Sequence, residues 1–160
     1  MNNVINVDIE VDETLDLPAA FALGEYNSAV PEFTVEHFPL NPGSGTREVR
    51  AKLVYLTNAV NDEQVNVKFL EMGYKRGGAR ELLAVGAQYP ELQLNKWIVS
   101  GAFLVRPDGS RWFLSIGSDI PGRRTVGLAG IPHRGRLASF YRNWFGPPRL
   151  GGDWFLAVPE

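Results

Sequence analysis

The sequence predicts an α+β fold with mixed or antiparallel strands, one or two helices and long irregular loops toward the C-terminus. Three observations carry that expectation. Apolar, β-branched residues alternate with polar ones near the N-terminus; one central stretch has helical periodicity and a stop signal; glycine and proline crowd the last third. With 160 residues, 44% of them hydrophobic, the chain can bury a core of its own, so residues 1–160 are read as a single domain.

The elements follow in order. "VINVDIEV" (4–11) sets Ile5, Val7, Ile9 and Val11 against Asn6, Asp8 and Glu10, the pattern of a half-buried strand. "LPAAFALGEYNS" (17–28) reads as a short helix with Pro18 in its first turn, where a missing N–H costs nothing. "EFTVEHFPL" (32–40) reads as a strand and "NPGSG" (41–45) as a loop. "REVRAKLVYL" (47–56) puts Val49, Ala51, Leu53 and Tyr55 on one face of a second strand. "QVNVKFLEMG" (64–73) gives Val65, Val67 and Phe69 the same period, so a strand is expected there in preference to a helix.

The best helix is "GGARELLAVGAQYPEL" (77–92), begun by two glycines and stopped by Pro90. "KWIVSGAFLV" (96–105) and "RWFLSIG" (111–117) flank "RPDGS", where Pro presets φ and Gly supplies positive φ, the chemistry of a hairpin turn. "RTVGLAGI" (124–131) is a further strand, residues 132–153 read as loop-rich, and "DWFLAVP" (153–159) is a final strand.

Charge is unevenly distributed. Residues 1–46 hold eight acids and no Lys or Arg, and the segments 1–46, 47–96 and 97–160 carry −8, +2 and +4. Such asymmetry fits either a nucleic-acid partner or an acidic start that packs on the basic end, within one chain or between copies in a homo-oligomer. The slightly acidic total favours the second. No run approaches the length of a membrane span, and the acidic, alternating N-terminus does not read as a secretory signal, so localisation stays open. With no cysteine there is no disulfide, thiolate nucleophile or thiolate metal site.

Catalytic motifs are lacking. His37 and His133 are the two histidines, and neither sits in a nucleophile elbow or a zinc helix. A hydrolase using His133 is therefore the weakest of the functional classes, and no motif calls for a cofactor or a metal. "KRGGARELL" offers backbone N–H groups at a helix start but lacks phosphate-loop spacing, and Asp108 in "RPDGS" lacks the acidic spacing of a calcium loop. Arginine interleaved with aromatics, as in Arg111-Trp112 and Phe140-Tyr141-Arg142, suits single-stranded nucleic acid and protein recognition alike. Residue types alone support binding without choosing the ligand.

An absence is more informative. Residues 1–96 contain 19 Lys, Glu, Gln and Met, whereas 97–159 contain none. At the earlier rate those positions would hold roughly twelve, more than a preference for strands and turns removes. Random replacement of the adenines in asparagine codons ending in a pyrimidine yields Arg, Asp, His, Phe, Tyr, Ser, Gly and other residues. It never yields Lys, Glu, Gln, Met or Trp.

The motifs "GYKRGGARELLAVGAQYPELQ", "IVSGAFLVRPDGSRWFL" and the terminal "WFLAV" are similar to the variable proteins of diversity-generating retroelements, over roughly residues 47–158. That resemblance implies a C-type-lectin-like fold displaying a diversified ligand-binding surface for a protein or cell-surface ligand, without enzymatic activity. It divides the chain into an acidic segment 1–46, a scaffold 47–114, a variable region 115–153 and a closing strand 154–160. The implied ligand-binding residues are Ile131, His133, Arg134, Arg136, Phe140, Tyr141, Arg142, Asn143, Phe145 and Arg149, each reachable by adenine replacement. Trp112, Leu114, Trp154, Phe155 and Leu156 are implied scaffold. The Glu-Pro-Asn or Gln-Pro-Asp calcium motif of sugar-binding lectins is absent.

Overall fold

The strand-like stretches at the two ends of the chain become strands two places apart in one sheet. The computed structural model describes residues 3–56, 62–131, 141–142 and 153–160. The strands are β1 (Val4–Asp12), β2 (Ser28–Ala29), β3 (Thr46–Leu56), β4 (Tyr74–Arg76), β5 (Ile98–Val105), β6 (Arg111–Gly117), β7 (Thr125–Ile131), β8 (Tyr141–Arg142) and β9 (Asp153–Pro159). The helices are α1 (Leu17–Gly24), α2 (Asp62–Glu71) and α3 (Ala79–Gln88), with a 3₁₀ turn at Leu92–Leu94. The fold is α+β, and its sheet is mixed.

Strand order is β1-β3-β9-β5-β6-β7-β2. β1 and β3 pair antiparallel along nine rungs, from Val4↔Val54 to Asp12↔Thr46. β9 pairs antiparallel with β3 on one side. On its other side it takes β5 in parallel at Trp154 and Phe155, then β4 antiparallel from Ala157 to Pro159. The handover from β5 to β4 falls at Gly101, whose N–H donates to the Gly77 carbonyl at 2.6 Å. A Cβ on Gly101 would collide with the Cβ of Arg76, so the close approach requires glycine. The β5–β6 register shifts in the same place, between Val99 and Phe103.

Alternation along the strands separates two apolar layers. On β6 and β9, Leu114 and Leu156 face a larger cluster containing Leu82, Leu83 and Val85 of α3, and Leu17 and Ala20 of α1. Phe113 and Phe155 face a smaller cluster on the other side, closed by Val65 and Phe69 of α2. Thus α1 and α3 cover one face, and α2 covers part of the other.

Long polar side chains bind the periphery together. Arg124 donates from Nε to Gln93 Oε1 (3.1 Å), from Nη1 to the Gly24 carbonyl (2.6 Å) and from Nη2 to the Gly86 carbonyl. Its guanidinium lies 4.7 Å from the centroid of the Tyr26 ring, which is buried enough to push the phenol's pKa well up. One arginine thereby closes the C-terminal ends of both α1 and α3. On the outer edge of β1, Gln88 stands in for a neighbouring strand: Glu10 N–H donates to its Oε1 (2.9 Å), and its Nε2 donates to the Glu10 carbonyl (2.7 Å). That satisfies part of an edge that would otherwise invite another strand.

Two expected strands are not strands. Residues 64–73 lie mainly in α2, where Val65 and Phe69 (i, i+4) point inward while Val67 is 51% exposed. The period-two pattern treated an outward valine as a core residue. Asp62 and Glu63 in the first turn and Lys68 in the last complement the helix dipole. Residues 32–40 instead form successive turns, with Phe33 N–H donating to the Val30 carbonyl (3.0 Å) and Phe38 N–H to the Thr34 carbonyl (2.9 Å). The Thr34 hydroxyl accepts from His37 N–H (3.4 Å), a local bond that competes with a ladder. Phe33 and Phe38 still reach the core, beside Phe21 and Tyr26.

Candidate ligand-binding surface

The candidate segment follows one embedded strand in the chain and precedes another. β7 pairs with β6 along seven rungs, from Arg111↔Ile131 to Gly117↔Thr125, and its residues from Thr125 to Gly130 are buried. Its outer edge is shared, by β2 in parallel at Thr125 and Val126 and by β8 antiparallel at Ala129 and Gly130. β9 begins at Asp153, which is buried, and the following Trp154 donates its N–H to the Trp97 carbonyl at 3.0 Å. The chain from Ile131 to Asp153 therefore leaves one strand within the sheet and returns into another.

Of the ten candidate residues, the backbone brings three together. Tyr141 and Arg142 pair with Gly130 and Ala129, and Ile131 ends the strand they pair with. His133, Arg134, Arg136, Phe140, Asn143, Phe145 and Arg149 lie outside the described residues.

The scaffold residues are held firmly. Leu114, Phe155 and Leu156 are fully buried. Trp154 is half-buried, its ring 5.0 Å from Tyr55 with Lys96 Nζ 5.6 Å away. Trp112 is also half-buried; its Nε1–H donates to Ser110 Oγ at 2.9 Å and the Arg106 guanidinium stacks 4.0 Å from its ring centroid. The turn beneath it is an ordinary hairpin, in which Asp108 accepts from the Ser110 N–H and hydroxyl.

Arg111, which suggested nucleic acid, and two further arginines of the C-terminal part, Arg106 and Arg124, are engaged within the fold. Arg106 pairs with Glu32 at 2.9 Å and stacks on Trp112. Arg111 lies over Phe103 and pairs with Asp62 at 3.3 Å. Arg124 joins α1 to α3. Some N-terminal acidity is matched in the same way: Glu13 pairs with Arg47 and, at 3.2 Å, with Arg80. The hydrogen bond that Arg47 donates to Glu13 is the main reason that the Arg47 pKa is raised.

Phe103 and Val105 were absent from the sequence-derived site. They are 43% and 60% exposed on one face of β5, and Val105 shares a rung with Arg111 that continues to Ile131. The signal was present in "GAFLV", which is apolar on both faces where a half-buried edge would alternate. Conversely, "KRGG" serves as a helix start: Gly77 N–H is committed to the Leu156 carbonyl (2.9 Å) and Arg76 turns inward. His37 is exposed, its Nδ1 3.1 Å from the Glu32 carbonyl. Among the described residues no group of three His, Cys, Asp or Glu is placed to hold a metal, and no helix is long and apolar enough to cross a membrane.

A hollow of about 840 Å³ lies at the opposite end of β9, between β1, β3 and α3. Ile9, Val49 and Val158 line it together with Asp8, Glu10 and Glu81 and with Arg47, Arg50 and Lys75, so it presents no field of a single sign. No known protein family, curated protein or solved structure matches the chain.

Proposed function

We propose that the chain is a non-enzymatic binding protein whose ligand surface lies within residues 115–153, with its contacts between Ile131 and Arg149, diversified by adenine-directed retroelement mutagenesis on a C-type-lectin-like scaffold. The observation that carries the reading is the loss of Lys, Glu, Gln and Met from 97–159, against 19 such residues before it. The anchoring of both ends of that segment in sheet strands supports it, because a fixed frame lets side chains between the anchors change at little cost to folding. Substitutions away from a core typically shift stability by less than about 0.5 kcal/mol. Ile131, His133, Arg134, Arg136, Phe140, Tyr141, Arg142, Asn143, Phe145 and Arg149 are the proposed contacts, and a protein or cell-surface molecule is the proposed ligand.

The test is genomic. A near-copy of the gene segment encoding residues 131–153, carrying AAC or AAT at the codons for the proposed contacts and lying beside a reverse-transcriptase gene, is the expected finding. A locus with no such template overturns the reading. Oligonucleotide binding that weakens steeply with added salt would move the assignment to single-stranded nucleic acid instead.

A further inference from the structure

The smaller apolar layer is closed by a helix whose attachment differs from that of the other two. Of the ten residues of α2, Val65 and Phe69 are buried, while Val67 and Leu70 stand 51% and 63% exposed on the outward side. Its N-terminal end is fastened by charge. Asp62 accepts from Arg76 Nη1 at 2.5 Å and lies 3.3 Å from Arg111 Nη1, so one carboxylate joins the helix to β4 and β6. Its C-terminal end runs into Gly73, whose φ of +76° turns the chain into β4.

Beneath the helix, the Arg76 guanidinium lies over two aromatic rings, 4.9 Å from the Phe113 centroid and 5.6 Å from that of Phe155. Its Nη2 donates to the Ser100 carbonyl at 2.7 Å, and burial pulls its pKa down while Asp62 opposes that pull. The strands under α2 are joined to one another by ladders that α2 takes no part in.

We propose that α2 is a strap that opens from the sheet as a unit, hinged at Gly73 and latched by the Asp62 carboxylate on Arg76 and Arg111. The sheet and its larger apolar layer on α1 and α3 stay closed when it lifts. What the opening uncovers is an apolar face of Val99, Phe113, Phe155 and Ala157 with a guanidinium among the rings. While the strap is shut, Asp62 balances that cation. Once the strap lifts, water does so, and removing Asp62 therefore weakens the shut state without reaching the rest of the fold.

Amide hydrogen exchange of the whole chain, followed over low urea concentrations, tests this. In the wild type the amides of residues 66–71 exchange through an opening that urea barely accelerates, whereas those of β3 and β9 follow the steep urea dependence of global unfolding. Asp62→Asn speeds the α2 amides about 100-fold, the loss expected for an unpaired buried charge, and β3 and β9 by no more than that, whereas Leu83→Ala in the larger layer speeds β3 and β9 and leaves the α2 amides unchanged. Asp62→Asn with Arg76→Met removes both charges and returns α2 to within about tenfold of the wild type. The proposal is overturned if α2 shares the urea dependence of the sheet, if Leu83→Ala accelerates the α2 amides as much as those of β3 and β9, or if the double variant exchanges no more slowly than the single one. An Asp62→Asn chain that fails to fold also overturns it, since a strap that opens alone does not take the sheet with it.

Discussion

Removing the Arg124 side chain is expected to be among the most damaging single changes outside the apolar core. The guanidinium makes three hydrogen bonds, to the Gly24 and Gly86 carbonyls and to Gln93 Oε1, and stacks on Tyr26. Hydrogen bonds to a charged group contribute about 1.5–3 kcal/mol each, and a cation over an aromatic face adds about 0.5–2 kcal/mol. These terms overlap, because water reaches the last carbonyls of both helices once the side chain is gone. We expect Arg124→Ala to cost about 4 kcal/mol. At about 2.1 cal/mol/K per residue, 160 residues give an unfolding entropy near 0.34 kcal/mol/K, so the melting temperature falls by about 12 °C. Arg124→Lys keeps the charge but not the fork. A single ammonium cannot span two helix ends and a glutamine amide, so lysine recovers less than half of the loss. Urea and thermal unfolding followed by circular dichroism measure both variants. A loss below about 1 kcal/mol for alanine, or full recovery by lysine, refutes the argument that the fork itself closes the two helices.

Other substitutions probe the remaining assignments. Phe69→Ala is expected to cost about 3–5 kcal/mol and Val67→Thr less than about 0.5 kcal/mol, a disparity that chemical denaturation detects and that a strand with both residues on one face would not produce. Gly101→Ala forces a Cβ against Arg76 and should cost about 1–3 kcal/mol, again by denaturation. The Thr14 hydroxyl, donating to Asp12 Oδ1 at 2.5 Å, is the main cause holding the Asp12 pKa below 3.8. A carboxyl depressed in the folded state stabilises fully above its unfolded pKa and loses that contribution as pH falls through its folded one. Its stabilisation is therefore complete at neutral pH, begins to fall as pH approaches 3.8, and is gone only once pH drops below the depressed folded value. Carboxyl-carbon NMR titration should show Asp12 returning toward 3.8 in Thr14→Ala.

The long strands were legible because each has one face against the larger apolar layer and the other against water or a thinner layer. Val7, Ile9 and Val11, and Val49, Ala51 and Leu53, are buried in alternation, as their spacing implies. The helix α3 was legible through Leu82, Leu83 and Val85 and the stop at Pro90. The helix α2 was not: its outward Val67 completed a false period of two, and only its packing partners on the sheet distinguish inside from outside. β2, β4 and β8 are two or three residues long, too short to show any period. Strand order was beyond local reading altogether, since the parallel seating of β9 on β5 joins residues more than fifty positions apart. At the candidate surface, composition marked the segment. It did not show that Arg106, Arg111 and Arg124 are occupied within the fold, because Glu32, Asp62 and the helix ends they meet lie far away in sequence.

The central seat of β9 has a consequence for inheritance. In chain order this strand follows the candidate segment, yet in space it lies between β3 on one side and β4 and β5 on the other. A frameshift or stop codon arising within codons 132–152 removes β9 and leaves three strands without the neighbour that joins them. Substitutions in those codons spare β9; errors of reading frame destroy it. A shifted reading frame thus costs the sheet its central strand, whereas a substitution in those codons leaves the residues of β9 as they are.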